Sequence, residues 1–188
     1  MNFFLGLITI SVICIVGQWP PISTLFEWNR QAIAEQQIWR IVTGNVTHTN
    51  FAHLAMNLVA LWMVAFLFRP SSRSLLLNTL IISVVIGTGL LYSDLSRYVG
   101  LSGTLHGLFA YYAGSEWLNG RKNSAILVIG VIGKVLWEQW IGPSQSTSQL
   151  IQATIAIQAH LIGMIAGLVI ALLGKGYCLR RENRWFGE

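Results

Sequence analysis

The strongest constraint on this chain is the length of its nearly uncharged stretches. An α-helix rises 1.5 Å per residue, so about 20 apolar residues cross the roughly 30 Å hydrocarbon core of a bilayer. Six stretches approach that length, at about 3–19, 51–68, 75–92, 99–118, 123–141 and 150–173, and together they use most of the 188 residues. Charged residues make up 10% of the chain and hydrophobic ones 54%, whereas a soluble domain carries about 25% charge. So few charges cannot cover a water-facing surface. The expected fold is an all-α membrane protein, a six-helix bundle forming a single domain over 1–188, with a small outer loop at 20–50. The first stretch lacks a basic start, and Gly17-Gln18-Trp19 is no small-residue cleavage site, so it reads as a membrane helix rather than a leader.

The net charge of +5 fits the positive-inside bias better than a nucleic-acid partner. Eight basic residues fall on one side of the alternating spans: Arg69, Arg73, Arg121, Lys122, Lys175, Arg180, Arg181 and Arg184. The other side has three, Arg30, Arg40 and Arg97, and Lys134 alone lies inside a span. That asymmetry places both termini in the cytoplasm. The loop 20–50 then faces outward, and Trp19, Pro20, Pro21, Trp28 and Trp39 suit an interfacial, partly folded loop rather than a disordered linker. Basic stripes interleaved with aromatics are missing, so no nucleic acid is expected. Cys14 and Cys178 stand at opposite ends without a CxxC spacing, and the four histidines form no HExxH pattern. No metal or other cofactor is expected.

With this topology, polar residues of three separate spans fall in the outer half of the membrane. His53 and Asn57 begin the second, Ser102 begins the fourth, and His160 lies in the first half of the sixth. Intramembrane ionisable groups are functional candidates by default. Ser102 lies between Gly100 and Gly103, which permit close backbone approach and tight helix packing. A serine becomes a nucleophile when a histidine takes its proton. Asn57, His53 and the Ser102 amide are candidate donors to an oxyanion; interhelical hydrogen bonding is the plainer role for His53 and Asn57. One offset stands out. His160 is ten residues past Leu150, about 15 Å if helical, while Ser102 starts its segment. The two meet only if 93–101 dips into the protein or the sixth helix starts above the bilayer.

Gly100-Leu101-Ser102-Gly103, His53-x-x-x-Asn57, Ala159-His160 with Gly163 and Gly167, and Trp39-Arg40 together resemble the rhomboid intramembrane serine proteases. The resemblance covers about 39–167. It implies Ser102 as nucleophile, His160 as general base, and an oxyanion hole of His53, Asn57 and the Ser102 amide. Gly163 and Gly167 would pack the sixth helix on the fourth. His106, four residues after the serine, and Lys134-Val-Leu-Trp-Glu138-Gln139, with the short length, are similar to the rhombosortase branch. That branch implies substrates tethered in the bilayer by a C-terminal tail of the GlyGly-CTERM type: a glycine-rich motif, one membrane helix and a basic cluster. It also implies the bacterial inner membrane, with the site opening to the periplasmic side.

Three alternatives remain at this point. They are a broad-specificity rhomboid protease, an inactive rhomboid-like client-binding protein, and a small transporter. Two local questions also stay open. His106 is the base itself, a partner that orients His160, or a buried packing group. Glu138 pairs with Lys134 four residues earlier, or Glu138 and Gln139 contact the glycine-rich part of a substrate.

Overall fold

The computed structural model describes residues 3–185, with side chains from 4 to 175. The side chains of Cys178, Arg180, Arg181 and Arg184 lie outside the described residues. The order is α1 (Phe3–Val16), α2 (Pro20–Phe26), β1 (Trp28–Asn29), α3 (Arg30–Ala34), α4 (Arg40–Thr43), α5 (Phe51–Phe68), α6 (Ser72–Gly89), β2 (Arg97–Tyr98), α7 (Ser102–Leu118), α8 (Ser124–Ile141), α9 (Gln145–Ile151) and α10 (Ile157–Trp185).

Four of these helices, α5, α6, α8 and α10, are long and apolar enough to cross a membrane. The pair α1–α2 makes a fifth if counted as one broken span, bent by 103°. α7 has 17 residues and runs through the middle of the bundle. The polarity is that of a chain solvated by lipid. Leu5, Val59, Met63, Ile126 and Leu173 are exposed, while Asn45, Thr47, Ser83 and Thr104 are buried. The chain is a mostly helical, multi-pass membrane protein.

Local chemistry sets most boundaries. Asn50 Oδ1 accepts the His53 N–H at 2.8 Å and so starts α5; Ser71 Oγ accepts the Ser74 N–H at 3.2 Å and starts α6. Such caps replace hydrogen bonds that the first helical turn lacks. The first stretch stops at Val16 rather than Trp19, because Pro20 and Pro21 cannot continue a helix but can begin α2.

Two expectations need adjustment. The segment 20–50 is more extensively folded than the partly folded loop expected, forming α2, β1, α3, α4 and a 3-10 turn at Gly44–Val46. β1 pairs antiparallel with β2, Trp28 opposite Tyr98 and Asn29 opposite Arg97. Buried Trp28 donates its indole N–H to the Gly87 carbonyl at 2.9 Å. Arg40 donates to the Thr24 and Glu27 carbonyls at 2.9 and 2.6 Å. The stretch 150–173 is also not one helix. Gln152 takes a left-handed conformation (φ 55°) that ends α9, and 152–156 are irregular before α10 begins at Ile157. His160 therefore stands in the first turn of α10, as Ser102 does in α7, and the depth offset disappears.

The two helices meet through glycine. A Cβ on Gly163 would lie 2.1 Å from the Gly103 carbonyl oxygen, and one on Gly167 2.0 Å from that of Gly107. Cβ atoms on Gly103 and Gly107 would come within 2.9 and 2.6 Å of the Ala159 and Gly163 carbonyl oxygens. Small residues at this spacing let two backbones touch, which is how helices associate where lipid removes the hydrophobic drive. Gly167→Ala should lower stability by about 1–3 kcal/mol through overpacking. Gly130→Ala, where nothing lies within 4 Å of the added Cβ, should be neutral or raise it by up to about 1 kcal/mol. Thermal unfolding in detergent measures both, and equal effects would contradict the packing account.

Candidate active site

Ser102 is presented by a turn that accepts only glycine. Gly100 has φ +125°, and a Cβ there would lie 2.7 Å from the His53 ring. The turn is pinned on both sides. Gly100 N–H donates to the Gly44 carbonyl at 3.0 Å, and the Tyr98 hydroxyl donates to the Gly100 carbonyl at 2.5 Å. Below it, buried Asn45 Oδ1 accepts from Thr104 Oγ1 at 3.0 Å and from Tyr98 at 3.3 Å. The folded 20–50 segment thus fixes where the chain enters α7.

Ser102 Oγ lies 2.9 Å from His160 Nε2. Ala159, just before His160, packs on Gly103, so the glycine contact sets this distance. His53 and Asn57 are one turn apart on α5 and mostly buried, at 8% and 4% exposure. Thr49 Oγ1 is 3.2 Å from His53 Nδ1 and donates to the Ile151 carbonyl at 2.6 Å, linking α5 to α9. Asn57 Nδ2 donates to the His53 carbonyl at 3.1 Å, leaving its amide a second N–H. Ser102, His160, His53 and Asn57 line one cavity of about 630 Å³, with Met56, Ala60 and Leu105 as apolar wall. Its lining includes Leu95–Val99 residues and Ala153–Ala156, so it lies at the end of the bundle that carries those connectors.

The remaining polar groups gather on the α8 side. His160 Nδ1 is 2.8 Å from Glu138 Oε2. Lys134 Nζ is 2.8 Å from Glu138 Oε1 and 2.8 Å from His106 Nε2. His106 Nδ1 is 2.7 Å from the Ser102 carbonyl, and its ring stacks on His160 with centroids 4.2 Å apart. Ser102 Oγ is bonded to His160, not to His106. Of the two residues expected near substrate, Glu138 lines the cavity, while Gln139 donates to the Ile157 carbonyl at 2.9 Å. The ligand atoms of His106, Glu138 and His160 lie within 4.8 Å of one another, close enough for a cation. The Lys134 ammonium already bridges two of them, and its charge repels a second cation.

The family model for the rhomboid domain matches residues 35–176. The chain belongs to the rhomboid family. Among its relatives is YdcA of Bacillus subtilis (strain 168), 25% identical over 165 residues, covering 81% of this chain and 73% of the relative. The rhomboid protease GlpG of Yersinia enterocolitica is 29% identical, covering 84% of this chain and 55% of its own length. GlpG of Photorhabdus laumondii is 26% identical, at 80% and 52% coverage. The chain thus spans about half the length of the GlpG proteins it matches.

In this rhomboid chain the sequence pointed to Ser102, His160, His53, Asn57 and Gly100, and the fold brings them together. It did not point to Asn45, Tyr98 or Thr49, whose polar atoms hold the turn and α5. Nor did it pair Glu138 with His160, since a single sequence does not say which face of α8 meets α10.

His48, outside the spans, is 4% exposed and meets His53 edge-to-face at 5.0 Å. Burial, then the neighbouring His53, lowers its pKa from 6.5 to about 3. Unfolded, it takes up a proton below pH 6.5; folded, it stays neutral to about pH 3. The unfolded chain binds more protons in that window, so stability falls as pH falls through it. The loss attributable to His48 at pH 5 is about 2 kcal/mol. His48→Phe should destabilise less than the wild type between pH 7 and pH 5 by that amount in thermal unfolding. An unchanged pH dependence would contradict burial of a neutral ring.

Proposed function

We propose that this rhomboid is an intramembrane serine protease that uses Ser102 as nucleophile and His160 as base. The observation that carries the reading is the 2.9 Å contact between Ser102 Oγ and His160 Nε2, in a cavity shared with His53 and Asn57. Ser102 Oγ attacks the scissile carbonyl carbon while its proton passes to His160 Nε2, and the carbonyl electrons move to oxygen. The Ser102 N–H and the second Asn57 amide N–H are the donors for that oxyanion, joined by the His53 Nε2–H in the tautomer whose Nδ1 accepts from the Thr49 N–H. Collapse breaks the C–N bond, the leaving amine takes the proton from His160, and an acyl-enzyme remains. Water repeats the sequence and releases the new C-terminus.

The bundle crosses the membrane six times in this reading, through α1, α5, α6, α7, α8 and α10, with both termini cytoplasmic. The cavity then opens to the periplasmic face of a bacterial inner membrane. Arg69, Arg73, Arg121 and Lys122 at the opposite end support that orientation. The proposed substrates are membrane-anchored proteins cut near a C-terminal tail with a glycine-rich motif, one membrane helix and a basic end. His106 and the Lys134–Glu138 pair support this rhombosortase branch.

The test is cleavage of a tailed reporter in membranes carrying the wild type or a variant. Ser102→Ala and His160→Ala should each reduce cleavage by about 10³-fold or more, while His106→Ala should retain part of it. Cleavage by Ser102→Ala at the wild-type rate would overturn the reading. Equal cleavage of a reporter with the glycine motif scrambled would make the protease one of broad specificity.

A further inference from the structure

The dyad has a third partner, and it comes from α8. Glu138 Oε2 lies 2.8 Å from His160 Nδ1, on the far side of the ring from Ser102 Oγ. We propose that Glu138 is a positioning residue for the reaction, forming a Ser102–His160–Glu138 triad in which Lys134 holds the carboxylate in place. The proposal rests on the reading of Ser102 and His160 as nucleophile and base.

The proton positions follow from Lys134. An ammonium only donates, so Glu138 Oε1 and His106 Nε2, each 2.8 Å from Nζ, both accept. A neutral His106 that accepts at Nε2 carries its proton on Nδ1 and donates it to the Ser102 carbonyl at 2.7 Å. Both nitrogens of His106 are then committed, and neither can receive the Ser102 proton. Glu138, paired with the ammonium through Oε1, presents Oε2 as an acceptor. His160 therefore carries its proton on Nδ1, and its Nε2 lone pair faces the Ser102 hydroxyl. The contacts close a ring of five residues that leaves Ser102 through its hydroxyl and returns to it through its carbonyl.

That ring does two things a lone histidine cannot. An unheld imidazole distributes its proton between two tautomers, and the Nε2–H form cannot accept from serine. The Glu138 carboxylate selects the form that can. When His160 takes up the Ser102 proton, it becomes a cation at a site only 4% exposed. Glu138 supplies the counter-charge and keeps its own state throughout, so the proton moves only between Ser102, His160 and the leaving amine. The charged or titratable groups facing His160 are Glu138 and Lys134 from α8, His106 from α7 and His53 from α5. Among these groups of the described residues, Glu138 alone is an anion.

Glu138 lines the cavity, so it is the kinetics that separates this role from substrate contact. Both carboxylate oxygens are engaged by protein donors, and the side chain is 12% exposed. A group that reads substrate acts on KM; one that orients the base acts on kcat.

The experiment measures kcat and KM of the full-length protein on the tailed reporter, together with the ring N–H signals of 15N-histidine-labelled protein. Glu138→Gln should lower kcat about 100-fold or more with KM within about threefold, and Glu138→Asp should recover part of the loss. The wild type should show a low-field ring N–H proton that is absent from His160→Ala and from Glu138→Gln. A wild-type kcat in Glu138→Gln, a raised KM with unchanged kcat, or no low-field proton assignable to His160 would overturn the triad. These results leave the dyad standing if Ser102→Ala and His160→Ala are inactive. Activity in those two variants would remove the underlying reading instead.

Discussion

Everything at the candidate site depends on the contact between α7 and α10. Four glycines remove the side chains that would keep the backbones apart, and each carbonyl on one helix fills the place of a missing Cβ on the other. Glycine inside a helix costs about 0.5–1 kcal/mol relative to alanine, so this interface gives up helix propensity for proximity. The gain is geometric. With Ala159 seated on Gly103, the next residue can only present its ring to the first residue of α7. A hydrogen bond between two helices in lipid contributes little by itself, about 0.6 kcal/mol on average. The backbone contact, rather than that bond, holds Ser102 and His160 together.

A second constraint fixes the mouth of the site. Irregular backbone at membrane depth persists only when its polar groups are satisfied by protein or by a wet cavity. The connector after α6 obeys this through Arg30, which donates to the carbonyls of Leu90, Leu91, Ser93 and Leu95. The turn before Ser102 obeys it through Gly44, Asn45 and Tyr98. The 20–50 segment is therefore part of the scaffold, because its backbone and side chains satisfy groups that lipid could not.

Much of this was legible in the sequence, for physical reasons that differ by residue. α5 spans 51–68 as read, because an asparagine cap and a charged end bracket an apolar run. Gly163 and Gly167 were expected as packing positions through the resemblance to the rhomboid proteases, and their i, i+4 spacing puts both on the face that meets α7. Gly107 completes the same seam but was not singled out from the sequence, since its partner is 56 residues away in Gly163. The break at 152–156 was hidden by continuous hydropathy; it is set by the left-handed Gln152 and by the need for His160 to start a helix at the level of Ser102. Lys134 and Glu138 were legible as an i, i+4 pair, but not as neighbours of His106 and His160. Pairing along one helix is a property of the sequence, whereas the face α8 turns to α7 and α10 is a property of the packing.

The central claim is that this fold makes one serine nucleophilic. The direct measurement is to treat the folded wild-type protein with a fluorophosphonate, digest it and locate the modified residue by mass spectrometry. The account predicts an adduct on Ser102, lost when His160 is replaced. No adduct on Ser102 in folded protein, or an adduct at Ser102 that forms equally fast without His160, would contradict it.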